Sequence, residues 1–381
     1  MDPAAVVTWL SAGTLAYTYV GYPLAIAAAA KLFGRPLDRR GEAPDGATVV
    51  IAVRNERDRI EPRVRELARH LVDAGVRGEI IVAVNGSTDG TVEAAQKIDL
   101  STDSALDQIT VQVIQTDPVG GKAAAVSAAV AASTMPAIVL ADARQRWGTG
   151  AVKHLLGAMR DPAVGGVSGE LILEQSPGVM AGVGAYWRYE KWIRRSESRY
   201  GCQIGVTGAI AAVRRECFRT IPPGTILDDV YWPLQVAMAG RRVVMVDDAV
   251  AYDRLPENAA GELRRKVRTL AGNFQLVAMQ PKLLLPVLNP VWARFVSHKL
   301  LRLACPWAMA ALILAGPLTS PLGTALSITT LAILALGLIE LKTSLRHPRK
   351  LLSAAGSFVL LNYAALLATY ATLRRRSHQL W

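Results

Sequence analysis

Three observations predict an α/β domain with a mostly parallel sheet, bracketed by membrane-spanning helices. From Thr48 onward, short β-branched apolar runs alternate with segments of helical periodicity. The carboxyl end of each run carries polar residues. Long uncharged stretches lie on both sides of this alternating region.

The first strand, Thr48-Val49-Val50-Ile51-Ala52-Val53, is apolar almost throughout, the pattern of a strand covered on both faces. After Arg54-Asn55-Glu56, residues Ile60, Val64, Leu67 and Leu71 recur at spacings of four, three and four. That spacing gives one apolar helix face. A second strand, Ile80 to Val84, ends in Asn85-Gly86-Ser87-Thr88-Asp89-Gly90-Thr91. A third, Val111 to Ile114, leads to Asp117-Pro118-Val119-Gly120-Gly121-Lys122 and an alanine-rich helix. A fourth, Ala137 to Leu140, runs into Ala141-Asp142-Ala143-Arg144. Val243 to Val246 supplies a further strand, ending in Asp247-Asp248.

Ligands of such sheets bind at the carboxyl ends of the strands. Asn55, Glu56, Asn85, Asp89, Lys122 and Asp142 stand at four separate strand ends and suit a nucleotide. Gly120-Gly121-Lys122 is half a P-loop, without the preceding glycine or the following Ser/Thr, so a P-loop nucleotidase is excluded. The three cysteines and five histidines show no metal-ligand spacing.

Ala4 to Ala30 holds 27 residues without a charge, enough for one spanning helix. Its amino end, Met1-Asp2-Pro3, lacks the basic region of a cleaved signal peptide, so an anchor is expected. Leu303 to Ile339 is uncharged over 37 residues and broken at Gly316 to Pro321, which reads as two spans. Leu351 to Leu373 adds 23 more, making four. Basic residues follow the first span (Lys31, Arg35, Arg39, Arg40) and precede the second (Lys282, Arg294, Lys299, Arg302). Both flanks place the large domain on the cytoplasmic side of the cell or inner membrane. Lys342, Arg346, Arg349 and Lys350 fall on that side too, whereas Arg374-Arg375-Arg376 falls opposite. The net charge of +12 therefore reads as membrane-flanking charge, with no nucleic-acid signature beside it.

Asp228-Asp229 sits between Pro222-Pro223-Gly224 and a helix-like run, Leu234 to Ala239. Two readings stand side by side: an acid capping the helix, or a general base at a cleft edge.

The ordered motifs Val53-Arg54-Asn55-Glu56, Asn85 to Thr91, Gly121-Lys122, Ala141-Asp142-Ala143, Gly205 to Ala209 and Leu227-Asp228-Asp229 resemble the family 2 glycosyltransferases. That family has the GT-A fold and includes the membrane-bound cellulose, hyaluronan, chitin and poly-N-acetylglucosamine synthases. The resemblance covers about Thr48 to Gln275. It implies that Asn55, Glu56, Asn85, Asp89 and Lys122 contact a UDP-sugar, and that Asp142 is the first acid of a D-x-D motif holding Mg2+ or Mn2+. Arg144 stands where the second acid belongs, leaving either a weaker metal site or direct pairing of Arg144 or Arg146 with phosphate. Asp229 takes the place of the family's catalytic base, with Asp228 beside it. Gly166 to Leu173 matches a strand on the acceptor side, near Thr207 and Gly208.

Tyr186, Tyr189 and Ile193 share one helical face and Arg188 and Trp192 another, which suits core packing or stacking on a glycan acceptor. Arg265 and Arg268 keep the spacing of the Q-x-x-R-W motif, with its glutamine and tryptophan replaced by Arg265 and Thr269. They suit diphosphate binding or an interfacial basic helix against membrane lipid.

The expected layout is an anchor helix over 1–33, a linker over 34–46 and a GT-A domain over 47–255. An amphipathic region over 256–293, a membrane region over 294–375 and a tail over 376–381 follow. The resemblance implies an inverting sugar transfer to a glycan or a lipid-carrier-linked acceptor, with a homo-oligomer or export partner where polymer is secreted. The replaced D-x-D acid also suits a nucleotide-binding subunit without catalysis.

Overall fold

Two helices come first, α1 (Pro3–Ala16) and α2 (Tyr22–Phe33), joined through a π-helical turn at Tyr17–Gly21. This is a computed structural model, and it describes residues 2–174, 181–254, 259–343 and 350–374. The expected tail over 376–381 and the basic residues Arg346, Arg349, Arg375 and Arg376 lie outside the described residues.

The alternating region follows as β1 (Gly46–Val53), α3 (Arg57–Ala74), β2 (Arg77–Asn85), α4 (Thr91–Gln96) and β3 (Thr110–Thr116). Next come α5 (Gly121–Ala132), β4 (Ala137–Ala141), β5 (Arg146–Trp147), α6 (Ala151–Ala158) and β6 (Val164–Glu174). After α7 (Ala181–Tyr200) the chain adds β7 (Ile210–Arg214), α8 (Asp228–Met238) and β8 (Arg242–Arg254). The remainder is helical: α9 (Ala259–Met279), α10 (Trp292–Arg294), α11 (Leu301–Ala315), α12 (Pro321–Thr343) and α13 (Lys350–Leu373).

The chain divides into two units. The sheet unit comprises Gly34–Glu174 and Gly201–Asp253; the helical unit comprises Met1–Phe33, Gln175–Tyr200 and Arg254–Trp381. The segment carrying Tyr186 and Trp192 therefore groups with the helices, although it interrupts the sheet in sequence.

In the sheet unit, eight strands run in the order β3-β2-β1-β4-β7-β6-β8-β5. The first four pair in parallel, and β7 joins β4 and β6 antiparallel. Every residue of β4 is buried, which is why its sequence reads as an unbroken apolar run. Ile60, Val64, Leu67 and Leu71 of α3 are all fully buried against the sheet core. Strand order reverses between β1 and β4, and such a switch opens a crevice at the carboxyl ends of the two strands. On the far side, Gly166 of β6 admits the Trp232 ring of α8, because a Cβ at Gly166 would lie 2.9 Å from that ring.

Two sequence boundaries shift. Helix α8 begins at Asp228 rather than Leu234 and carries Pro233 inside it. Strand β8 continues past Asp247-Asp248 to Arg254.

In the helical unit, three segments among the described residues are long and apolar enough to cross a membrane: Trp292–Leu318, Pro321–Thr343 and Leu352–Leu373. The first expected span, α1 through α2, is continuously helical but is not one of the three. Hydroxyls at Thr8, Ser11, Thr14, Tyr17, Thr18 and Tyr19 dilute its hydropathy, and some serve inside the unit. Tyr17 Oη lies 2.9 Å from Ser297 Oγ, and Tyr19 donates to Asn362 Oδ1 at 3.1 Å.

A buried ionic cluster joins three parts of this unit. Glu197 of α7 accepts from Tyr22 Oη at 2.5 Å, and its Oε1 lies 2.8 Å from His298 Nδ1. The other ring nitrogen, Nε2, lies 2.9 Å from Glu190 Oε1. Arg302 donates to Glu190 Oε2 at 2.7 Å and to Tyr186 Oη at 3.0 Å.

Candidate active site

The crevice at the strand-order switch is built from the ends of β1, β2 and β4. Asn55 adopts φ 56°, a left-handed conformation that asparagine tolerates better than most residues. Its Oδ1 accepts from Thr88 N and its own N–H donates to Ser87 Oγ, both at 2.9 Å. Glu56 N–H donates to Thr91 Oγ1 at 3.0 Å, while its carboxylate pairs with Arg59 at 2.7 Å. Asp89 accepts from Thr91 N–H and Arg57 N–H. Those bonds hold its carboxyl below the ordinary range, the Thr91 hydroxyl contributing most. Asp89 is thus a turn-former that locks the β1 and β2 ends together. Asn85 is buried and its Oδ1 accepts from the Thr116 hydroxyl at 3.4 Å.

Opposite these loops stands a compact charged group. Lys122, in the first turn of α5, donates to Asp142 Oδ1 at 2.7 Å and lies 3.9 Å from Asp228 Oδ2. Burial opposes the ammonium charge, but Asp142, Asp228 and Asp229 outweigh it and raise the lysine's proton affinity. Asp228 and Asp229 occupy the first turn of α8, where the helix dipole favours negative charge. Neither is the N-cap, which is Leu227 with no side-chain bond. The Asp229 backbone carbonyl accepts from Val206 N–H at 2.9 Å.

Gly208 completes this corner. A Cβ built there would lie 3.7 Å from Lys122 Nζ and 4.0 Å from both Asp142 Oδ2 and Asp229 Cβ. Thr207 is buried, and its N–H donates to Ser168 Oγ at 3.1 Å.

The loop after β4 is pinned by residues that sequence reasoning missed. Arg63 Nε donates to the Asp142 carbonyl at 3.1 Å, and its guanidinium lies 4.8 Å from the Trp147 ring centroid. Glu66 accepts from Trp147 N–H at 2.8 Å, and Trp147 Nε1 donates to the Ala209 carbonyl at 3.0 Å. The only sequence signal was two charges, Arg63 and Glu66, beside the apolar face of α3. Between the pinned residues, Arg144 is exposed. Arg146 is occupied by Glu174 at 3.1 Å and by the Tyr252 ring at 4.5 Å.

The predicted residues Tyr186, Trp192, Arg265 and Arg268 belong to the helical unit. Tyr189 and Ile193 pack towards α2 as core, Tyr189 donating to the Tyr19 carbonyl at 2.8 Å, whereas Trp192 faces outward. Arg265 is paired with Glu262 at 2.8 Å.

The glycosyltransferase-like family 2 model matches residues 44–272. The chain belongs to that family. Among curated proteins nothing matches the sequence. A mannosyltransferase from Pyrobaculum calidifontis, solved in complex with GDP-Man and Mn2+, superposes with a TM-score of 0.67 at 22% identity. It covers 96% of this chain and 99% of its own. Glucosyl-3-phosphoglycerate synthase from Mycobacterium tuberculosis, with Mn2+ and UDP-Glc, reaches a TM-score of 0.42 at 18% identity, over 67% of this chain and 82% of its own. The sheet unit has the GT-A fold, and the chain is a glycosyltransferase.

In this family 2 glycosyltransferase the donor set at Asp142 does not fit a resident divalent ion as a D-x-D pair would. One carboxylate oxygen is committed to Lys122, and an arginine fills the second acid position. Among the described residues no three His, Cys, Asp or Glu side chains assemble at ligating range.

Proposed function

We propose that this chain is a membrane-anchored, inverting glycosyltransferase. It moves a sugar from a UDP-linked donor to a glycan acceptor during polysaccharide synthesis. The observation that carries this reading is the Lys122–Asp142–Asp228 group, with Asp229 beside it, at the open end of the strand-order switch. Asn55, Glu56 and Asn85 border the same crevice and offer amide and carboxylate partners for a base and ribose.

The chemistry is a single displacement. The Asp229 carboxylate takes the proton of the acceptor hydroxyl as its oxygen attacks the anomeric carbon. The bond from that carbon to the donor phosphate oxygen breaks on the opposite face, and its electron pair leaves with the diphosphate. The charge that develops there meets Lys122, already held in place by Asp142. Thr207 and Gly208 shape the acceptor side. In the helical unit, Arg265 and Arg268, three residues apart on α9, suit anionic headgroups. Basic flanks at Arg35 to Arg40 and Lys282 to Arg294 support a cytoplasmic catalytic unit.

The test is to incubate purified protein in lipid with a panel of UDP- and GDP-sugars and measure the nucleoside diphosphate released. Release from a UDP-sugar, lost in Asp229→Asn, upholds the reading, and release from GDP-sugars alone overturns its UDP-linked donor. No release with any donor overturns it.

A further inference from the structure

We infer that Lys122 and Arg144 neutralise the donor diphosphate in this chain, and that transfer proceeds without a divalent cation. The inference rests on the nucleoside-diphospho-sugar reading above and concerns how that same site handles charge.

A metal-dependent D-x-D site places a cation between two carboxylates, where it bridges phosphate oxygens. Here a cation already stands between carboxylates: Lys122 Nζ, 2.7 Å from Asp142 Oδ1 and 3.9 Å from Asp228 Oδ2. The second acid position carries Arg144. Exchanging a carboxylate for a guanidinium changes the local charge from −1 to +1. That difference of two positive charges equals the contribution of a divalent ion. The site would therefore keep its charge balance through its side chains.

The loop that carries Arg144 is held in place. The loop from Asp142 to Trp147 is fixed by Arg63 on the Asp142 carbonyl, by Gln145 Nε2 donating to Asp253 at 2.9 Å, and by Glu66 on Trp147 N–H. Arg144 is exposed between these anchors. A guanidinium presents two parallel N–H groups that match phosphate oxygens. When the anomeric carbon–oxygen bond breaks, the electron pair arriving on the phosphate oxygen is met by ammonium and guanidinium, while the acceptor proton goes to Asp229. No further reactant is required.

The experiment uses the full chain in lipid and measures UDP and GDP binding by calorimetry, in EDTA and in Mn2+. Wild type should bind one of them equally well in both. Arg144→Ala should lose about tenfold or more in EDTA. Arg144→Asp rebuilds a D-x-D pair and should bind only with Mn2+, with a bound-manganese signal in electron paramagnetic resonance that wild type lacks. Thermal unfolding of both variants checks that each remains folded. Wild-type binding that requires Mn2+ overturns the inference and leaves the donor reading standing. No binding of either nucleotide under both conditions overturns the inference and the donor reading together.

Discussion

Arg63 Nε donates to the backbone carbonyl of Asp142 at 3.1 Å from a side chain only 3% exposed. Helix α3 thus holds the site loop by its main chain and leaves the Asp142 carboxylate to Lys122. Arg63 also pairs with Glu66 at 2.8 Å, and removing one partner of a largely buried charged pair is costly because the other stays partly desolvated. Arg63→Leu should destabilise the sheet unit by about 3 kcal/mol and weaken nucleotide binding. Thermal unfolding and UDP calorimetry check both; an Arg63→Leu protein as stable as wild type would show the contact to be dispensable.

Gly208 separates stability from activity. An added methyl would meet only ordinary contacts, at 3.7 and 4.0 Å, so Gly208→Ala should fold normally. The same methyl stands beside Lys122, Asp142 and Asp229, the corner proposed to receive substrate. Its kcat/KM should fall while its unfolding free energy stays within about 0.5 kcal/mol of wild type. Full activity in this variant would move the reacting atoms away from that corner.

Asp229→Asn keeps the shape of the side chain and removes its ability to take a proton. Loss of a general base costs roughly 10²–10⁴-fold in rate. The fall should appear in kcat, with donor KM little changed, when steady-state release of nucleoside diphosphate is followed across donor concentrations. A loss confined to KM would point to a binding role instead.

Acid should weaken the sheet unit through Glu66. Burial raises its proton affinity, but the His70 hydrogen bond, the Arg63 charge and the Trp147 N–H outweigh that and bring its pKa to about 2, from an ordinary 4.5. A carboxyl depressed in the folded state contributes stability above its unfolded pKa. The contribution, on the order of 3 kcal/mol, is lost as pH falls from 4.5 toward 2. Unfolding midpoints measured across that range should decline, and Glu66→Gln should flatten the decline. Parallel curves for the two proteins would refute the assignment.

Much of the sheet was legible because β1, β2 and β4 are covered on both faces and therefore spelled as continuous apolar runs. The polar residues at their ends followed from the same logic. Helix α8 was harder to bound: Pro233 within it imitates a helix stop, so its start at Asp228 was hidden. Arg63 escaped notice because a charge on a helix normally faces water, and only the fold reveals a carbonyl above it. The departure of α7 from the sheet unit has no local sequence signal, since its aromatic stripe serves core and surface equally well. The first helical stretch reads as a span because it lacks charge, and the fold adds what the sequence did not show, that its hydroxyls bond to neighbouring helices.

The buried cluster around His298 bears on the order in which the molecule is made. His298 and Arg302 lie in a segment long and apolar enough to cross a membrane, and they carry imidazole and guanidinium groups that hydrocarbon solvates poorly. Their partners Glu190 and Glu197 lie 101 to 112 residues earlier in the chain. During synthesis from the amino end, both acids leave the ribosome before that segment does. The helix can therefore meet its counter-ions as soon as it is made, and a truncation in between would leave Glu197 without His298 and Glu190 with only Arg194 of its own helix.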